Sequence, residues 1–341
     1  MKDRLAEFLN RPLIIGNRTI SGRLVLAPMT HLGHIAMREL LAAFGGFGLL
    51  FSEMCSAGRI PHENRETSAL FRWRDQELPY LVCQIVGSDP ATMARAAAKI
   101  EAAGFFGIDL NFGCAVAAIC SRSSGAALLK QPHLAAAIVK TVRQSVSIPV
   151  FVKFRTGWQD CPLTAVDLAR RFEAAGADAL TFHPRVAPDR RSRPPRWEYI
   201  GMVKQAVSIP VFGNGNVFSR ADCIRMLALT GCDGIAIGRM AVARPWIFAE
   251  WSRGLSVTPR IYGDTALRLS ELLPLYFDEI RAVRRFKKFA LYFAANFRFG
   301  HCLYTRIFRA SDMEAIRSIL RSFFQTSPDL TLSPNMNLFN N

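Results

Sequence analysis

Short, uninterrupted apolar runs separated by crossover-length segments constrain this chain more than any other feature. The runs cover residues 24–29, 49–54, 81–86, 107–112, 150–154, 179–183, 211–213 and 234–238. They are continuous rather than alternating, the pattern of parallel strands buried on both faces. Each intervening segment is long enough for a helix that returns the chain to the start of a parallel neighbour. Internal echoes support the same unit. VRQSVSIPVF at 142–151 returns as VKQAVSIPVF at 203–212, and EAAG occurs at 101–104 and 173–176, with a similar TGCDG at 230–234. Each glycine falls where a helix must end and an apolar run follows at once. Eight helix–glycine–strand units predict a closed barrel rather than a six-stranded open sheet. No GxGxxG follows the first run, which argues against a dinucleotide-binding sheet.

The expected fold is therefore α/β: a (β/α)8 TIM barrel over residues 12–250 followed by a C-terminal helical domain over 260–325, with a flexible tail over 326–341. A chain of 341 residues has room for both. Half of its residues are hydrophobic, which excludes intrinsic disorder.

Charge narrows the function. The chain carries 43 Lys and Arg against 27 Asp and Glu, a net +16, which concentrates polyanions at its surface. From 281 to 309 there is no acidic residue, while Arg281, Arg284, Arg285, Lys287, Lys288, Arg298, Arg306 and Arg309 interleave with Phe and Tyr. Most of those aromatics are expected in a helical core, and the acid-free face suits a phosphate backbone. None of the eight cysteines forms a CxxC pair, no metal site is expected, and a reducing cytoplasmic compartment fits. The N-terminus has no apolar signal region and no run of 18 apolar residues occurs, so no membrane span is expected.

In a barrel of this kind the chemistry lies at the carboxyl ends of the strands. Reading those ends in order yields Ala27-Pro28-Met29, Glu53, Gln84, the stretch Asp109–Cys114, Lys153 and Arg155, His183-Pro184-Arg185, Gly213-Asn214-Gly215-Asn216, and Gly238-Arg239. Lys153 and Arg155 point the same way within an apolar neighbourhood, where a cation needs an anionic partner. Glycine-rich turns after the last two strands suit a phosphate held by backbone N–H groups. One phosphate plus a ring bonded by Gln84 and Lys153 describes FMN better than a dinucleotide.

With those pieces in place, the chain resembles the tRNA-dihydrouridine synthases. APM, SEM, QIVGSDP, DLNFGC followed by GAALL, VKFRTGW, HPR, GNGN and IGR occur in that family's order over about residues 12–250. The resemblance implies that Pro28, Met29, Gln84, Lys153 and His183 contact the flavin, and that Asn214, Gly215, Asn216, Gly238 and Arg239 hold its phosphate. It implies that Asn111, Arg155 and Arg185 contact the uridine or its RNA. Cys114 would be the general acid, protonating uracil C5 as FMN N5 delivers hydride to C6, with NADPH reloading the flavin. The expected partner is tRNA, with rRNA as an alternative RNA, and the protein is expected to be monomeric. Departures cluster in the substrate shell. Ala115 and Ala118 stand where the family carries Pro and Lys after the cysteine, and Arg190–Arg196 is an unusually basic loop. Those departures keep two other readings open: an FMN oxidoreductase for a small molecule, and an RNA-binding descendant without catalysis. His31 and His34, with no carboxylate cluster beside them, read as loop or pocket residues.

Overall fold

The computed structural model describes residues 3–189, 193–331 and 334. The chain forms two compact units, one of Met1–Pro28 with Phe47–Ile237, the other of Met29–Gly46 with Gly238–Asn341.

The first unit is the barrel. Strands β1 (Leu13–Ile15) and β2 (Arg18–Ile20) form an antiparallel hairpin. There follow β3 (Leu24–Leu26), β4 (Leu50–Phe51), β5 (Cys55–Ser56), β6 (Leu81–Val86), β7 (Gly107–Phe112), β8 (Val150–Gly157), β9 (Ala179–Val186), β10 (Val211–Asn214) and β11 (Gly234–Ile237). All pair in parallel in the order β3-β11-β10-β9-β8-β7-β6-β4, with β5 also on β6. A parallel bridge between Val25 and Leu49 joins the two ends and closes the ring. The expected barrel is present, with different strand lengths. β3 and β4 stop early, and β4 gives way where Ser52 Oγ turns to the Glu53 carbonyl and accepts from Gln84 N. β8 and β9 run past residues 154 and 183 because they keep pairing through Arg155–His183 and, after a bulge, Gly157–Val186.

The sequence echoes are structural repeats. Glu101, in the helix Pro90–Ala102, accepts from the backbone of Ser147 and Ile148 at 2.7 and 3.2 Å. Glu173, in Pro162–Ala174, accepts from Ser208 and Ile209 at 2.7 and 3.1 Å. Asp178 and Asp233 then each accept from the first amide of the strand that follows, Val150 and Val211, at 2.8 Å. Two carboxylates per unit, Glu101 with Asp178 and Glu173 with Asp233, thus satisfy the amides of the SIP turn and of the strand start.

The barrel floor is apolar. Val25, Phe51, Val82, Phe151, Ala179, Phe212 and Ala236 form one buried cluster with Ile15 and Ile20 of the hairpin. Burying each such phenylalanine contributes about 1.5–3 kcal/mol. Side chains alternate along a strand, so two residues further on the same inward face stand Gln84, Lys153, Thr181 and Asn214. The polar mouth follows directly from the period of the strands.

The second unit contains the helices Ile35–Phe44, Arg239–Ala243, Ile247–Arg253, Arg260–Tyr276, Glu279–Phe293, Gly300–Arg309 and Met313–Gln325. Ile35–Phe44, which follows β3 in sequence, groups with the C-terminal helices: Tyr276 Oη donates to Glu39 Oε2 at 2.6 Å. A boundary near 250–260 therefore does not separate the units. Tyr262, Phe289, Phe293 and Phe297 pack together in the bundle, and Phe323 and Phe324 close on Phe297. The aromatic stripe faces inward, with Phe299 and Phe308 left 61% and 59% exposed. Residues 326–331, read from sequence as the start of a flexible tail, run back along the bundle. Arg298 N donates to Asp329 O at 3.0 Å and Thr331 N to Asn296 O at 2.7 Å. Tail residues 332–333 and 335–341 lie outside the described residues. Among the described residues no helix is long and apolar enough to cross a membrane.

Candidate active site

Four polar side chains from β6, β7 and β8 meet above the floor. Gln84 Nε2 donates to Asp109 Oδ2 at 2.6 Å, and Asn111 Nδ2 donates to Gln84 Oε1 at 2.8 Å. Lys153 pairs in register with Asn111 across β7 and β8. Asp109 has no exposed surface, and its second oxygen, Oδ1, lacks a hydrogen-bond partner. Burial pushes the Asp109 carboxyl up to about 7, against the pull of the Gln84 hydrogen bond and the Lys153 charge. Burial likewise pushes Lys153 down to about 8; Arg155 adds to this, and Asp109 and Cys114 oppose it. The mouth therefore holds a carboxyl and an amine whose charges depend on each other.

Asn111 also organises the cysteine loop. Its Oδ1 accepts from Gly113 N at 3.1 Å and from Cys114 N at 2.9 Å. The Cys114 carbonyl accepts from Ala126 N at 2.9 Å and from the Cys120 thiol at 3.5 Å. A Cβ at Gly125 would lie 2.6 Å from that carbonyl, so the close return of GAALL requires glycine there. Trp158 Nε1 donates to Ala126 O at 2.7 Å, and Lys130 Nζ lies 3.9 Å from the Trp158 ring centroid. Cys114 itself is half-buried with its backbone held at both ends.

Arg155 Nε donates to Gly113 O at 2.8 Å, so it braces the same loop from β8. His183 pairs in register with Arg155. Arg185 is 2% exposed and donates to Arg193 O at 2.8 Å and to Asn216 Oδ1 at 3.2 Å. Asn214 donates to Ala236 O at 2.7 Å, and the turn continues with Gly215 at φ 121° and Asn216 at φ 53°. Pro28 ends the first unit half-buried. Met29, Gly238 and Arg239 belong to the second unit, where Gly238 precedes the helix Arg239–Ala243.

Several residues take roles that the sequence did not disclose. Asp109 is a buried carboxyl whose charge acts on Lys153 across the mouth; its signal was a carboxylate inside an apolar run, in step with Asn111. Trp158 braces the cysteine loop through a contact no motif announces. His34 is the N-cap of Ile35–Phe44, accepting from Met37 N at 3.1 Å through Nδ1. Burial, reinforced by the Arg285, Arg38 and His31 charges, holds it well below the usual histidine value. In the basic loop, Arg193 pairs with Asp189 at 3.0 Å and Arg196 with Asp160 at 2.7 Å. Those two charges are spent within the protein; Arg190, Arg191 and Ser192 lie outside the described residues.

A closed parallel barrel with amides, a carboxyl and cations gathered at the strand ends over an apolar floor is a TIM-barrel protein with its site at the mouth. Solved structures agree on the fold. An old yellow enzyme homologue from Zymomonas mobilis matches with TM-score 0.54 at 14% identity, over 73% of this chain and 94% of its own. A 2-naphthoyl-CoA reductase matches with TM-score 0.57 at 14% identity, over 73% and 52%. The chain belongs to the dihydrouridine synthase family, whose model matches residues 25–271. Among its relatives, tRNA-dihydrouridine synthase B of Pseudomonas aeruginosa is 34% identical over 91% of this chain and 95% of the relative. The probable tRNA-dihydrouridine synthase 1 of a Synechocystis species is 37% identical over 70% and 67%.

Proposed function

We propose that this protein is an FMN- and NADPH-dependent tRNA-dihydrouridine synthase of the cytoplasm, acting as a monomer with Cys114 as general acid. The observation that carries the reading is Asn111, which links the Gln84–Asp109–Lys153 cluster to the Cys114 backbone through both ends of one amide.

The residues present suit a flavin. Lys153 and Gln84 are donors on the inward face, Lys153 is half-buried rather than sealed, and the buried Asp109 Oδ1 without a partner leaves acceptor capacity in the same cluster. The turn at Gly215, with φ 121°, is a glycine turn of the kind through which a phosphate can meet backbone N–H groups. Within the first unit, Pro28, His183, Asn214 and Asn216 are the further residues proposed for the flavin shell. Bound and reduced by NADPH, FMN supplies the hydride that adds to uracil C6. Lys153 would hold positive charge against a bound flavin ring. Asn111 and Arg155 keep the cysteine loop in place, and Arg185 steadies the turn at Asn216. Cys114 transfers its thiol proton to uracil C5 and is reprotonated from solvent, so one hydride and one proton saturate the bond. The uridine leaves its stack to enter the mouth, and the excess positive charge grips the surrounding RNA.

Ala115 and Ala118 favour a second reading, because the family's Pro and Lys are missing from the loop that meets substrate. In that reading the substrate is another RNA, such as rRNA, or a small molecule. The test is nucleoside analysis of tRNA and rRNA from cells with the protein, without it, and with Cys114→Ala. Dihydrouridine should vanish from one tRNA position without the protein and stay absent with Cys114→Ala. Unchanged dihydrouridine in all three would remove uridine as the substrate.

A further inference from the structure

We propose that Cys114 and Cys120 form a reversible disulfide, which makes the cysteine loop a site of oxidative modification. Both are free, half-buried thiols of one short loop. The Cys120 thiol already points at Cys114, donating to its carbonyl at 3.5 Å. A carbonyl oxygen lies about 2.4 Å from its own Cα, so the Cys120 sulfur is within about 6 Å of the Cys114 Cα. A disulfide brings its sulfurs to about 2.05 Å, so the Cys120 side chain must leave the carbonyl and turn onto the Cys114 thiol.

The loop can supply that movement. Cys114 is the fixed partner, held by Asn111 and Ala126. Cys120 ends a single helical turn, Ala117–Cys120, which has no side-chain cap. Ala115, Val116, Ala117, Ala118 and Ile119 separate the two cysteines; Val116, Ala117 and Ala118 are exposed, with Val116 60% exposed, and none of the five is a proline that would fix the backbone. Closing so short a loop costs little chain entropy.

Hydrogen peroxide is a sufficient oxidant. One thiol attacks the peroxide bond, becomes a sulfenic acid and releases water. The second thiol attacks that sulfur and displaces hydroxide, which leaves as water with the thiol's proton. Two sulfurs lose one electron each, and one peroxide becomes two waters. A dithiol reductant reverses the bond by exchange. The bonded Cys114 has no proton to give. That consequence rests on the proposed acid role, whereas the bond itself does not.

The experiment uses the full-length protein, treated with peroxide, blocked with iodoacetamide and digested with trypsin. Residues 100–122 form one tryptic peptide that contains both cysteines. The expected result is a peptide lighter by two hydrogens and closed to alkylation, reversed by dithiothreitol and absent in Cys120→Ser. Dihydrouridine formation should fall at least ~10-fold on oxidation and return on reduction. Reduced Cys120→Ser should match the parent, then lose activity to excess peroxide as Cys114 passes through sulfenic to sulfinic acid, which dithiothreitol does not restore. A peptide that stays alkylated on both cysteines, or carries added oxygen without the two-hydrogen loss, overturns the proposal. If the bond forms and activity is untouched, the acid role of Cys114 fails and the bond stands.

Discussion

Asp109 stands on a barrel strand with no exposed surface, an amide on one oxygen and a cation nearby. Its pKa in the folded chain is about 7, above the ordinary 3.8 that it regains on unfolding. Between those values the folded chain keeps a proton that the unfolded chain has released. Stability contributed by Asp109 is therefore full below about 3.8 and falls as pH rises toward about 7. Asp109→Asn removes this titration and keeps an acceptor for Gln84. We predict that urea midpoints of the flavin-free variant rise relative to the parent across that window. A difference independent of pH would mean that Asp109 is already ionised throughout. At this scale the sequence exposed Gln84, Asn111, Cys114 and Lys153, because each stands at a strand end beside a motif. Asp109 was visible in the sequence as well, but a carboxylate in an apolar run says only that it needs a partner, not which one.

At the scale of elements, the turn after β10 shows how backbone geometry serves the mouth. Gly215 has φ 121°, a conformation costly for any residue with a Cβ, and that Cβ would lie 2.9 Å from His183 Cδ2. Trp197 Nε1 donates to the Gly215 carbonyl at 2.8 Å, which holds the turn in this shape. Gly215→Ala is expected to cost about 1–3 kcal/mol in stability and to push the His183 ring aside. Thermal unfolding and the flavin absorbance of the purified variant would check both. A variant with parental melting and parental flavin content would show that the turn relaxes freely. The glycines of GNGN were legible as a turn, and the EAAG and SIP echoes as repeats. The reach of Glu101 and Glu173 to the next turn was not, because it joins residues more than 30 positions apart. Strand ends were misjudged for a related reason: β8 and β9 continue because they pair with each other, and pairing is not a property of either segment alone.

At the scale of the whole molecule, the +16 charge is the main prediction-bearing quantity. Phosphate contacts release counterions, so RNA affinity should fall steeply with salt. For six to ten contacts the loss is roughly 10³–10⁵ between about 50 and 200 mM salt. Filter binding of unmodified tRNA across that range would measure the slope. A flat profile would indicate that the surface charge is balanced within the fold and would favour the small-molecule reading. Some balancing is evident, since Arg193 and Arg196 are held by Asp189 and Asp160.

The sequence by itself determined the order of elements, the parallel barrel, the basic character and the strand ends where polar side chains stand. These depend on local pattern: continuous apolar runs, glycines at helix ends, and the two-residue period that places Gln84, Lys153 and Asn214 above Val82, Phe151 and Phe212. Tertiary structure alone decided which of those polar groups meet. Closure of the ring sets the register that brings Asp109 to Gln84 and Asn111 to Lys153. It also decided that Ile35–Phe44 groups with the C-terminal helices, and that Trp158 braces the loop of Cys114. Periodicity states which face of an element a residue occupies; only the packed chain states what lies opposite.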